Sequence, residues 1–93
     1  MRRLLVAIRD VKTEMFLPGV ISAVTRGEAE RIFVDILQSA SPIKEHPHDY
    51  ALYEVGSFDD QDGRLYPPIV EGIVNPPTLL IDGLQVTQLR KAE

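Results

Sequence analysis

The sequence contains no cysteine and no tryptophan, and its aromatic residues are three Phe and three Tyr. Without cysteine there are no disulfides, thiol nucleophiles or thiolate metal sites, which excludes a disulfide-stapled secreted fold. No apolar run approaches the ~20 residues that a membrane-spanning helix needs. The apolar segment before Arg9 is five residues long and lacks a small-residue cleavage site, so no signal peptide is predicted. These absences predict an unprocessed intracellular protein that does not enter a membrane.

What remains is an ordinary globular composition over 93 residues, 44% hydrophobic and 26% charged. This length holds one small domain, whose stability would gain from self-association or from a partner. The net charge of −4 is unevenly distributed, because six acidic residues and no Lys or Arg lie in residues 45–62. The N-terminal segment is locally basic, and its cations are Arg2, Arg3, Arg9 and Lys12.

The first half of the chain shows two strand patterns and one helix pattern. Residues 3–9 alternate as a strand with aliphatic side chains on both faces, and residues 14–17 are predicted to pair back antiparallel. Residues 20–24 are predicted to form an extended edge or a bulge. Thr25 and Glu28 form a capping box that begins a helix, and Pro42 is predicted to end it. The apolar stripe of this helix consists of Ala29, Ile32, Phe33, Ile36 and Leu37.

The second half of the chain is predicted to supply two more strands, residues 50–57 and 64–66, joined by an Asp- and Gly-rich turn. The sequence therefore predicts an α+β fold in which one helix covers a mainly antiparallel sheet, in the order strand, strand, helix, strand, strand. Residues 1–66 form the predicted core domain. Residues 67–93 form a predicted Pro-rich C-terminal extension, with a hairpin over 79–86 that turns at Asp82-Gly83. This hairpin either packs back on the core domain or forms an assembly arm onto another chain.

Catalytic and metal-binding patterns are weak. His46, His48 and Asp49 are types that bind Zn²⁺, but they have no further His or Cys to complete a ligand set. The acidic run that ends at Asp62 departs from the calcium-loop pattern, and Gly27 is too isolated to form a phosphate-binding loop. We therefore predict no enzyme activity, no catalytic residue, no metal and no cofactor.

Four aromatic residues fall on the second predicted hairpin, and two interpretations remain open for them. If the rings face solvent near the N-terminal cations, they could stack on exposed bases. If they face neighbouring strands, they contribute to packing. The four residues are Tyr50, Tyr53, Phe58 and Tyr66.

Several short motifs occur in an order that resembles a known family. They are the segment from Ile8 to Glu14, the helix pattern of Glu28, Ala29, Arg31 and Phe33, and the later Ser41-Pro42, His46-Pro47, Asp49-Tyr50, Leu52-Tyr53, Gly56 and Phe58-Asp59-Asp60. Together they resemble the small nonstructural protein of gokushovirus-type microviruses, over about residues 5–65. The resemblance implies a protein of single-stranded DNA phages, made in the cytoplasm of the infected bacterium. It also implies DNA binding, in genome replication or packaging.

Two functions from different classes follow. The first is a non-enzymatic phage accessory protein that binds single-stranded DNA through Arg2, Arg3, Arg9 and Lys12, with Tyr50 or Tyr53 stacking on bases. The second is an oligomeric adaptor that does not bind DNA. It would contact a phage replication or capsid protein through the acidic 45–62 surface or through the C-terminal hairpin. For both functions we predict a homo-oligomer.

Overall fold

The computed structural model describes residues 1–40 and 43–91, and it has the predicted α+β architecture. Its strands are β1 (Arg2–Asp10), β2 (Met15–Phe16), β3 (Ile21–Ala23), β4 (Tyr50–Asp59), β5 (Leu65–Tyr66), β6 (Ile69–Val70), β7 (Ile73–Val74) and β8 (Thr78–Asp82). Its α-helices are α1 (Arg26–Ser39) and α2 (Gly83–Lys91). Two single-turn 3-10 helices, Ile43–Glu45 and Pro47–Asp49, lie between α1 and β4. Neither α-helix in these ranges is long and apolar enough to cross a membrane.

The main sheet is built around one long antiparallel pair, β1 and β4. Their register runs from Arg2 opposite Asp59 to Asp10 opposite Tyr50, with Val55 of β4 as an extra, bulged residue. Strands β2 and β3 both pair with β1, while β5 and β8 both pair with β4. Every one of these pairings is antiparallel. The predicted sheet type is therefore confirmed, and the predicted edge over residues 20–24 contains β3.

Helix α1 covers one face of this sheet. The Thr25 hydroxyl accepts a hydrogen bond from the Glu28 amide at 3.1 Å, and the Glu28 carboxylate accepts one from the Val24 amide at 3.3 Å. The predicted start of the helix is thus confirmed, and the second amide donor is that of Val24. Pro42, which was predicted to end the helix, lies outside the described residues. The core between α1 and the sheet contains Val6, Ile8, Ala23, Ala29, Phe33, Leu37, Ile43, Tyr50, Leu52 and Val86.

The hairpin predicted over residues 79–86 is wrong. Strand β8 pairs with β4 in the main sheet, and α2 begins at Gly83 instead of a returning strand. Asp82 caps this helix, because its carboxylate accepts from the Gln85 amide at 2.7 Å while the Gln85 side chain accepts from the Asp82 amide at 3.0 Å. Val86 then joins the core. The chain beyond residue 66 therefore contributes strand β8 to the main sheet and Val86 to the core.

A hairpin does occur in this segment, but it lies earlier in the chain. Strands β6 and β7 pair Ile69 with Val74 and Val70 with Ile73. The two residues between them, Glu71 and Gly72, have φ angles of 52° and 77°, as a type I′ turn requires. The pairs Pro67-Pro68 and Pro76-Pro77 flank this hairpin. A Pro-flanked hairpin is thus present, at residues 69–74.

Candidate nucleic-acid interface

The face of the sheet opposite α1 carries basic and aromatic side chains. Because Val6 and Ile8 belong to the core, alternation along β1 places the odd-numbered residues on the other face. The strand register puts Tyr53 on this face opposite Ala7, and Phe16 opposite Arg9. We call this surface the open face and define it by Arg3, Leu5, Ala7, Arg9, Phe16, Tyr53 and Leu79.

At the centre of the open face, an arginine lies against two aromatic rings. The Arg9 guanidinium carbon is 6.0 Å from the centroid of the Phe16 ring and 5.9 Å from that of Tyr53. The two ring centroids are 5.5 Å apart in an edge-to-face arrangement at 80°. Phe16 is 39% exposed, although it is a large apolar side chain. We call Arg9, Phe16 and Tyr53 the Arg9 cluster, in which a cation and an aromatic surface are presented side by side.

Lys12 lies near the Arg9 cluster, in the turn that connects β1 with β2. The Asp10 carboxylate accepts hydrogen bonds from the backbone amides of Lys12 at 3.0 Å and Thr13 at 3.3 Å, which fixes the turn. Lys12 is exposed in this turn. The turn therefore holds a second cation at the same end of the sheet as Arg9.

Arg3 lies on the open face at the other end of β1, six residues or about 20 Å from Arg9. Its Nε atom is 3.1 Å from the Asp60 carboxylate, which also accepts from the N-terminal ammonium group of Met1 at 3.0 Å. Hydrogen bonds from the ammonium group and then from Arg3 lower the pKa of Asp60. The stabilisation that accompanies this lowered pKa is present at pH values above the ordinary pKa of an Asp side chain. It is lost as the pH falls and the Asp60 carboxylate becomes protonated. At neutral pH, Arg3 therefore faces a carboxylate.

Arg2 lies on the opposite face from Arg3. Its guanidinium carbon is 3.8 Å from the centroid of the Tyr66 ring, in direct cation–π contact. The four cations predicted to act together are thus divided. Arg9 and Lys12 lie at the same end of β1, Arg3 lies at the far end of the open face, and Arg2 lies on the other side of the sheet.

Tyr50, a predicted stacking residue, is a core residue. It is 7% exposed and packs in the cluster beneath α1. Burial, followed by the nearby carboxylates of Asp10, Asp49 and Glu45, raises the pKa of its hydroxyl. A buried ring cannot stack on a base, so Tyr50 contributes to packing and not to a binding surface. Tyr53, in contrast, is half-buried and lies on the open face.

Phe16 is the ring that the sequence interpretation missed. A signal for it was present, because residues 11–14 connect β1 with β2 and place Asp10 opposite Met15. That register sets Phe16 opposite Arg9 on the same face of the sheet. The predicted bounds of the pair, residues 3–9 and 14–17, instead set Arg9 opposite Glu14 and Phe16 opposite Ala7, so they place Phe16 on the same face as Arg9 but not directly opposite it.

The other predicted candidate groups do not assemble into one site. The acidic residues of 45–62 extend along and beyond both ends of β4, whose ten residues span about 30 Å, so they do not form a single patch. His46 precedes the second 3-10 helix. Within residues 1–40 and 43–91, no group of three or more His, Asp or Glu side chains is placed to hold a metal ion.

Comparison with known proteins adds one finding. A family model described as Phage ORF5 protein matches residues 4–86. The matched span includes Lys12 and the whole Arg9 cluster and excludes Arg2 and Arg3. No curated protein and no solved structure matches the chain.

Proposed function

The chain belongs to the Phage ORF5 protein family, and on that premise we propose that this phage accessory protein binds single-stranded DNA through the Arg9 cluster and Lys12. One observation carries the proposal: the guanidinium carbon of Arg9 lies 6.0 Å from the centroid of the Phe16 ring and 5.9 Å from that of the Tyr53 ring. The Phe16 ring is exposed, and all three side chains lie on the face of the sheet opposite the core. Side chains from β1, β2 and β4 meet there, and the turn that holds Lys12 lies at the same end of β1.

Unpaired bases are the nucleic-acid feature that this surface fits. An exposed ring offers a flat apolar surface on which a base can stack, at a gain of about 1–3 kcal/mol per base. Phe16 supplies that ring, and Tyr53 supports it edge to face. Bases inside a duplex are already stacked on each other, so the surface favours a single strand.

Phosphate contacts would come from the cations beside the rings. Arg9 would donate to phosphate, because its guanidinium carries five N–H groups and a cation–π contact does not require them as hydrogen-bond donors. Lys12 adds a mobile ammonium group from the neighbouring turn. Arg3 contributes less, because the Asp60 carboxylate competes with phosphate for it. The net charge of −4 therefore does not preclude a local cationic site.

The biological setting of the proposal comes from the resemblance to the gokushovirus-type nonstructural protein. A small protein that binds single strands would act on the phage genome in the cytoplasm of the infected bacterium, during replication or packaging.

The adaptor alternative is supported by a different observation, the exposed hairpin β6–β7. The acidic residues of 45–62 support it little, because they are dispersed along β4.

We expect the wild-type protein to bind a fluorescein-labelled oligothymidylate, with an affinity that falls as salt rises. Arg9→Gln should weaken binding about 10-fold at low salt and should make the slope of log K against log salt shallower by about 0.7, the contribution of one single-strand phosphate contact. Fluorescence anisotropy at several salt concentrations measures both values. Arg31→Gln is the matched control, because Arg31 is exposed on α1. No binding by the wild type at low salt, or equal losses in both variants, would contradict the proposal.

Phe16→Leu should separate stacking from charge. We expect it to weaken binding by about 1–3 kcal/mol, or roughly 5- to 150-fold, without changing the salt slope, because leucine is apolar but has no ring. The same anisotropy titrations measure this effect. Met15→Leu is the control, since Met15 is the neighbouring exposed residue of β2. Binding by Phe16→Leu at wild-type strength would remove stacking from the mechanism.

A further inference from the structure

Two features remain after the open face is assigned. The first is the hairpin β6–β7, whose four strand residues are β-branched and 48–65% exposed. The second is an apolar groove of about 330 Å³ between the C-terminal half of α1 and the chain around β3. Its lining includes Ile8, Leu17, Val20, Ile21, Ile36 and Ile43.

The hairpin is exposed on both of its faces. Ile69 and Val74 lie on one face, and Val70 and Ile73 on the other, because each pair is directly opposite across the two strands. Glu71 is the single charged residue in the segment 67–77. A two-stranded hairpin is marginally stable in water without a surface to pack against. Its composition therefore indicates an apolar binding surface as its partner.

The hairpin and the groove lie at opposite ends of β1. Ile69, at the base of the hairpin, borders Arg3 and Leu4, whereas the groove includes Ile8, about 15 Å further along the strand. Each hairpin strand has two residues, so the hairpin reaches about 10 Å from its base. The hairpin is therefore too short to reach the groove of its own chain. The high exposure of all four side chains agrees with this conclusion, since none of them is packed in that groove.

We propose that the groove receives the β6–β7 hairpin of a second copy of this chain. One chain carries both an apolar projection and an apolar recess, which are the two halves of a self-complementary contact. Because they lie at opposite ends of β1, two chains placed side by side in opposite directions bring each hairpin to the other's groove. That arrangement has twofold symmetry and contains the same contact twice. Neither the hairpin nor the groove contains a residue of the Arg9 cluster, so the contact is separate from the proposed DNA site.

The proposal predicts a dimer that both surfaces maintain. We expect sedimentation equilibrium to give twice the mass of one chain for the wild type. Ile73→Thr combined with Val74→Thr should raise the dissociation constant about 100-fold or more, because it removes apolar surface from both hairpin faces while keeping β-branched side chains. Val20→Glu should have a similar effect by placing a charge in the groove. Leu65→Thr, at a 71% exposed position of β5 outside both surfaces, is the control and should leave the mass unchanged.

Mixing the two variants tests the reciprocal geometry. The hairpin variant retains an intact groove and the Val20→Glu variant retains an intact hairpin, so a mixture should regain one of the two contacts and associate more strongly than either variant alone. Circular dichroism of each variant checks that the substitutions leave the chain folded. A wild-type monomer at the highest attainable concentration would overturn the proposal. A dimer that survives Val20→Glu and is lost only in the hairpin variant would also overturn it, because that result indicates hairpin-to-hairpin pairing.

Discussion

Phe33→Ala should lower the free energy of unfolding by about 3–5 kcal/mol, the usual cost of truncating a fully buried Phe. Phe33 has no exposed surface and lies at the centre of α1, in the core cluster that also contains the sheet residues Val6 and Leu52. A domain of this size is stable by roughly 5–14 kcal/mol, so the substitution would remove a large part of the total. Urea denaturation followed by circular dichroism measures the change.

Phe16→Ala is the matched control for this prediction. The chemical change is the same, but Phe16 is 39% exposed at the edge of the sheet, so we expect a loss of about 1 kcal/mol or less. If Phe33→Ala does not fold, Phe33→Leu retains most of the volume and should cost about 1–1.5 kcal/mol. Equal losses at positions 33 and 16 would contradict the placement of the core beneath α1.

The elements that the sequence predicted correctly are those with strong local signals. The capping box at Thr25 and the apolar stripe through Phe33 specify α1 within the helix itself. The alternating aliphatic residues of β1 likewise define a strand without reference to distant residues. In each case, local propensity agrees with the tertiary environment, and this agreement explains why these assignments succeed.

The failure at Asp82-Gly83 has a specific physical cause. This dipeptide is typical of a type I′ hairpin turn, but Asp82 followed by Gln85 is also a helix-capping pattern. Pairing of β8 with β4 favours the helix, because it uses residues 78–82 in the main sheet and directs the following residues toward the core. The sequence contains both signals, and the long-range strand pairing decides between them. The true type I′ turn, Glu71-Gly72, lacks the usual Asn or Asp and was therefore missed.

The candidate site shows how far strand alternation can be taken. Alternation along β1 places Arg2 on one face of the sheet and Arg3 and Arg9 on the other. This placement was predictable from the sequence, but the prediction grouped the three residues because they are close along the chain. It also separates Tyr50 from Tyr53 on β4. Which of the two faces α1 would cover was not predictable, because aliphatic residues lie on both sides of β1. The covered face buries Tyr50, and the other face presents Tyr53.

Gly83→Ala should lower the free energy of unfolding by about 3 kcal/mol. Gly83 is the first residue of α2, and a methyl group there would overlap the carbonyl oxygen of Pro47 and lie 2.6 Å from its carbonyl carbon. Those are backbone atoms, so no side-chain rotation can relieve the overlap, and α2 would have to move away from the 3-10 helix Pro47–Asp49. Helix propensity alone predicts the opposite sign, since Ala is favoured over Gly in helices by about 1 kcal/mol.

Gly27→Ala provides the comparison that isolates this effect. Gly27 lies in the first turn of α1, and the nearest atom to a methyl group there is the Thr25 hydroxyl oxygen at 3.9 Å, an ordinary contact distance. We therefore expect Gly27→Ala to raise the free energy of unfolding by up to about 1 kcal/mol, through helix propensity and a less flexible unfolded chain. The same substitution near the start of two helices should therefore change the free energy of unfolding, measured by urea denaturation, in opposite directions. A stabilised Gly83→Ala would contradict the close packing of α2 on Pro47, and with it the helix that replaces the predicted hairpin.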